Sequence, residues 1–118
     1  MRIPTFIVSA ALLMLLVSVA ASAHALLDRA DPRVGSTVTE VPRQVSLSFT
    51  QKLEAAFSTM EVTDAAGQRV DEGTPHIEGN VMSVPLRTIP PGIYRVKWRV
   101  FSVDMHTTEG AFSFEVRQ

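Results

Sequence analysis

The chain contains no cysteine. No disulfide can staple it, and thiolate chemistry is ruled out, whether a cysteine-type structural zinc site or a soft copper(I)–thiolate site. It also lacks a membrane-length apolar run. The nearest approach, Phe6 to Val19, falls short of the roughly 20 residues that cross a bilayer. No sustained helical period, internal repeat or low-complexity tract is present. Catalytic signatures are missing too: there is no triad pattern, no glycine-rich phosphate loop and no pair of histidines at helical spacing. The 12 Asp and Glu outnumber the 11 Lys and Arg, one of which is Arg2, and no basic stripe marks a nucleic-acid partner. What remains is a small, mildly acidic domain held together by packing.

The first 23 residues read as an export signal rather than as part of that domain. Met1-Arg2 is a short positive start, the apolar run follows, and Ala21-Ser22-Ala23 offers small residues to a signal peptidase. Removal of residues 1–23 leaves 24–118 as one domain with no membrane insertion of its own. A cut after Ala25 also satisfies the small-residue rule and discards His24.

Residues 24–118 alternate in the manner of half-buried strands. Val45, Leu47 and Phe49 interleave with Gln44, Ser46, Ser48 and Thr50. Met60 and Val62 precede the turn Asp64-Ala65-Ala66-Gly67, and Met82, Val84 and Leu86 follow Gly79-Asn80. After the break at Pro90-Pro91-Gly92, Tyr94, Val96, Trp98 and Val100 lie opposite Arg95, Lys97 and Arg99. Phe112, Phe114 and Val116 form the last set. With no helix to cover these apolar faces, two antiparallel sheets must cover each other. The expected fold is all-β, an immunoglobulin-like Greek-key sandwich or barrel of about seven strands.

Three histidines are candidates for chemistry. Cleavage after Ala23 gives His24 a free α-amine beside its imidazole, and these two nitrogens can close a chelate ring of the kind that favours copper(II). The amine titrates near pH 8, close enough to neutrality for a metal to displace its proton. Asp104 and His106 are the next candidates. In an extended segment, residues two apart share a face at roughly 6.6 Å, and two side chains there can converge on one ion. The plainer reading of Asp104-Met105-His106 is a solvated turn. His76, after Gly73-Thr74-Pro75, reads as a surface loop residue. Met60 and Met82 fit core positions, Met105 points away from its neighbours if the segment is extended, and no methionine cluster is left for copper(I).

Taken together, the motifs are similar to those of the CopC family of periplasmic copper-binding proteins. They run from His24-Ala25-Leu26-Leu27 through Asp31-Pro32, Val45-Ser46-Leu47-Ser48-Phe49 and Phe57-Ser58 to the most specific stretch, Pro91 to Val100. Ser102, Asp104, His106, Gly110, Phe112, Phe114 and Val116 complete them. The resemblance implies one copper(II) ion per chain, held by His24, Asp104 and His106, and a CopD-type membrane copper transporter as partner. Some members carry a glutamate where this chain has Gln51, so that acidic contribution is missing here. The methionine- and histidine-rich loop of other members is absent, which implies a copper(II)-only site.

A non-catalytic copper carrier or buffer is therefore the expected function. A copper-dependent oxidative enzyme of the lytic polysaccharide monooxygenase type shares the N-terminal histidine brace but needs a broad aromatic substrate face. Tyr94 and Trp98, read as core, are not available for one. A purely structural sandwich with incidental histidines is the third reading.

Overall fold

Every stretch of alternating apolar and polar residues forms a strand in the computed structural model, which describes residues 25–118. There are eight strands among these: β1 (Leu27–Asp31), β2 (Thr37–Val38), β3 (Gln44–Phe49), β4 (Thr59–Thr63), β5 (His76–Glu78), β6 (Val81–Pro85), β7 (Gly92–Phe101) and β8 (Thr107–Val116). They form two four-stranded sheets, ordered β1-β3-β6-β5 and β2-β8-β7-β4. The architecture is the expected all-β immunoglobulin-like sandwich, with the strand count slightly higher.

The strands that escaped the sequence pattern are β1, β2 and β5. In β1 the alternation is broken by a bulge between Leu27 and Arg29. β2 is only two residues long and runs parallel to β8, so the second sheet is mixed rather than purely antiparallel. β5 is a three-residue edge strand beginning at His76. His76 is therefore on an edge strand and not in a loop, although its side chain is 75% exposed, as a surface residue should be.

The inward faces meet in one core. β3 contributes Val45, Leu47 and Phe49, and β6 contributes Met82 and Val84. Tyr94, Val96, Trp98 and Val100 of β7 and Phe112, Phe114 and Val116 of β8 face them. Phe49 meets Trp98 edge-on across the sheets, with ring centroids 5.1 Å apart. Tyr94 stacks on Phe114 at 5.6 Å, and its hydroxyl donates to the Pro90 carbonyl. That bond fastens the turn before β7 to the strand, in the manner of a tyrosine corner. Burying a side chain such as Phe49 or Leu47 contributes about 1.5–3 kcal/mol, and with no disulfide these contacts carry the stability.

One buried carboxylate seals the free edge of β4. Asp71 Oδ1 accepts the Val62 amide at 2.8 Å and Arg69 Nε at 3.2 Å, while Oδ2 accepts Arg69 Nη2 at 2.7 Å. Desolvation pushes the Asp71 carboxyl up, but the Arg69 and Val62 hydrogen bonds and the Arg69 charge outweigh it, so it titrates below the usual range. The Arg69 guanidinium is pushed up in turn, first by its hydrogen bond to Asp71 and then by that charge.

One end of the sandwich gathers the start of β1, the end of β3, the end of β7 and the start of β8. Leu27 pairs with Phe49 in one sheet and Phe101 with Thr107 in the other, and a bridge between Leu53 and Ser102 joins the two ends. Glu54 N–H donates to the Phe101 carbonyl at 2.8 Å, joining the connection after β3 to the same end.

Candidate metal centre

The residues between β7 and β8 form a tight turn rather than an extended segment. Ser102 N–H donates to the His106 carbonyl at 3.0 Å, and Met105 N–H to the Ser102 carbonyl at 3.0 Å. Met105 takes a left-handed conformation, with φ 70°, which reverses the chain between Asp104 and His106. Of the two readings of this segment, the turn is the one observed and the extended strand with a shared face is not, yet the two side chains do meet. Asp104 Oδ2 lies 3.6 Å from His106 Nδ1. The turn brings them together by bending the backbone, which the strand spacing of roughly 6.6 Å could not do without convergence of both side chains.

The donor pair suits a shared cation. Two atoms each about 2 Å from one ion stand at most about 4 Å apart, and the observed 3.6 Å lies within that limit. One donor is an imidazole nitrogen and the other a carboxylate oxygen, both acceptable to copper(II). The His106 side chain is 52% exposed and that of Asp104 24%, while Asp104 Oδ2 itself is buried. Among the described residues no group of three or more His, Asp or Glu side chains is arranged to hold a metal. His24, the third residue of the expected set, lies outside the described residues.

The chain that follows position 24 is firmly placed. Thr108 Oγ1 donates to the Ala25 carbonyl at 2.7 Å, two positions beyond His106. Leu26 N–H donates to Thr50 Oγ1, and Thr50 N–H returns a bond to the Leu26 carbonyl, each at 2.9 Å. Ala25 is only 1% exposed. Residues 25 and 26 are thereby pinned between the end of β3 and the start of β8, beside the Asp104–His106 turn. His76 pairs with Ser83 of β6 and faces Glu78 at 3.8 Å, apart from this cluster.

Several features of this end were not anticipated from sequence. Thr50 reads as an ordinary polar residue of the alternating pattern and Thr108 belongs to no motif, so nothing announced that they clamp the N-terminal backbone. Phe57, 68% exposed, sits edge-on to Phe101 with ring centroids 5.5 Å apart. The Phe57-Ser58 pair was visible as a motif, but its outward orientation depends on the short 3-10 turn Ala55–Phe57. Val103 and Met105 are also exposed, at the turn itself.

Comparison with known proteins places these observations in context. The family profile of the CopC domain matches residues 27–117. Copper resistance protein C of Xanthomonas campestris pv. juglandis is 32% identical over 111 residues, which cover 86% of this chain and 87% of that protein. Copper transport protein CutJ of Bacillus subtilis is 30% identical over 98 residues; the match covers 80% of this chain but only 18% of CutJ. Among solved structures, CopC from Methylosinus trichosporium OB3b superposes with a TM-score of 0.74 at 29% identity, covering 79% of this chain and 93% of that one.

Proposed function

The chain belongs to the CopC family, and from that premise we propose that it is a periplasmic copper(II) carrier or buffer holding one ion with His24, Asp104 and His106. Its role is binding, not catalysis. Residues 1–23 serve as an export leader whose removal makes His24 the first residue, with its α-amine and imidazole as two of the ligands.

The observation that carries this reading is the hydrogen bond from Thr108 to the Ala25 carbonyl. It tethers the residue next to His24 within two positions of His106, and Asp104 already faces His106 at 3.6 Å. The same bond supports cleavage after Ala23. A cut after Ala25 would discard a buried residue and leave the Thr108 hydroxyl without the acceptor it has here. The oxidative alternative gains no support, because Tyr94 and Trp98 are buried and Phe57 with Phe101 makes only a small aromatic surface. Similarity to part of a copper transport protein supports a CopD-type membrane copper transporter as the partner.

The test is a comparison of protein beginning at His24 with protein retaining Ala23, by competition against a copper(II) chelator. The extra residue converts the α-amine of His24 into a peptide nitrogen and opens the chelate ring, so copper(II) affinity falls sharply. Equal affinities would remove the N-terminal ligand from the site. The set contains no sulfur, so reduction with a copper(I) chelator present should strip the ion. Retention of copper under those conditions would contradict the ligand set.

A further inference from the structure

Along β7 the inward positions are Tyr94, Val96, Trp98 and Val100, all buried and all apolar. The next inward position is Ser102, at 0% exposure. An apolar side chain would continue the series there, and a buried hydroxyl is stable only if it is hydrogen-bonded. Its partners lie in the turn. Ser102 Oγ donates to Asp104 Oδ1 and lies 3.2 Å from the His106 carbonyl.

A serine hydroxyl has one proton to give. The His106 carbonyl already accepts the Ser102 amide at 3.0 Å, so it does not depend on the hydroxyl. The carboxylate is the stronger acceptor, because hydrogen bonds to an ionised group are about twice as strong as neutral ones. The proton therefore belongs to Asp104 Oδ1. With Oδ1 held from inside the fold, the carboxylate can present only Oδ2 towards His106, where it stands 3.6 Å from Nδ1. The base from which this is done is rigid: Ser102 bridges to Leu53, and Val103 N–H donates to the Lys52 carbonyl at 3.0 Å.

We infer that Ser102 is a positioning residue of the metal centre, orienting the Asp104 carboxylate from beneath so that one oxygen is turned towards the ion shared with His106. The inference rests on the proposed copper(II) site and adds to it a residue that does not touch the ion. Groups of this kind fix a ligand before the ion arrives, and their removal typically weakens metal affinity by about 10–100-fold.

The experiment is a double-mutant cycle on the protein beginning at His24, with Ser102→Ala, Asp104→Ala and the combination. Copper(II) affinity is read by chelator competition and the copper environment by electron paramagnetic resonance. Ser102→Ala should weaken binding about tenfold or more when Asp104 is present and change the resonance parameters. In the Asp104→Ala background it should change neither. Equal losses in both backgrounds would assign Ser102 a merely structural role and overturn the inference, as would no loss in the single variant. If Asp104→Ala itself leaves copper affinity unchanged, the proposed ligand set fails, a result distinct from a failure of Ser102. Thermal melting of the metal-free variants checks the fold, and Ser102→Gly serves the same cycle should the alanine variant not fold.

Discussion

A Cβ placed on Gly110 would lie 2.6 Å from Cζ2 and 2.9 Å from Cε2 of Trp98. The two residues are cross-strand partners in the β7–β8 ladder, and the indole occupies the space that any side chain at 110 would need. Trp98 is in turn held by Phe49 at 5.1 Å, so it cannot withdraw cheaply. Gly110→Ala should therefore destabilise the domain by about 1–3 kcal/mol, the usual cost of overpacking, and shift the Trp98 emission. Denaturant titration followed by fluorescence measures both. Unchanged stability would show that the indole can move aside.

Asp71 predicts an acid-sensitive contribution to stability. A carboxyl whose pKa is depressed in the folded state stabilises the fold above its unfolded value, about 3.9. That contribution is lost as pH falls through the lower folded value. Asp71→Asn removes the ionic hydrogen bonds with Arg69 and should cost about 1–3 kcal/mol at pH 7. The gap between parent and variant should close as the pH is taken below about 4. Urea unfolding at several pH values tests this, and a gap independent of pH would contradict it.

Met105 supplies a backbone test of the turn. Its φ of 70° costs a non-glycine residue roughly 1–2 kcal/mol, and a β-branched residue tolerates that region least. Met105→Val should lower stability by about 1–2 kcal/mol by the same steric argument. Met105→Gly should be close to neutral, because relief of the strain is offset by about 0.5–1 kcal/mol of added freedom in the unfolded chain. Equal stability of the two variants would mean that the turn is not held in this conformation in solution.

Trp98 can report on metal binding. It stands three residues before the end of β7, roughly 10 Å of strand, with the Asp104–His106 turn just beyond. One equivalent of copper(II) should quench its emission saturably, and zinc(II) far less. His106→Ala and Asp104→Ala should each weaken the titration without unfolding the domain. His76→Ala should leave it unchanged, since His76 lies apart on edge strand β5. A loss with His76→Ala as large as with His106→Ala would move the site to the β5 edge of the other sheet and refute the ligand set.

Much of the fold was legible in the sequence for a simple reason. Side chains alternate across a strand, so residues such as Val45, Leu47 and Phe49, or Tyr94, Val96, Trp98 and Val100, declare both the strand and its buried face. Short or irregular strands make no such declaration. β1 hides its pattern behind a bulge, and β2 and β5 are too short to have one. Asp104 and His106 were legible as candidates from residue type and placement between the two strongest strands, and a turn was the plainer reading of the segment, but the approach of the two side chains was not legible. It depends on a left-handed backbone at Met105, where no glycine announced it.

Composition and pattern, then, determined that this protein is an all-β domain without thiolate chemistry, and which histidine and carboxylate merited attention. Both properties are local, set by residue type and by the two-residue period of the extended chain. Tertiary structure alone decided that Thr108 holds the Ala25 carbonyl across a sequence separation of 83 residues, and that Thr50 pairs with Leu26. It also decided that Ser102 faces inward beneath Asp104. Such contacts arise where two sheets fold over each other and bring distant strand ends to one edge of the sandwich. No periodicity in the chain encodes which threonine will find a backbone carbonyl there.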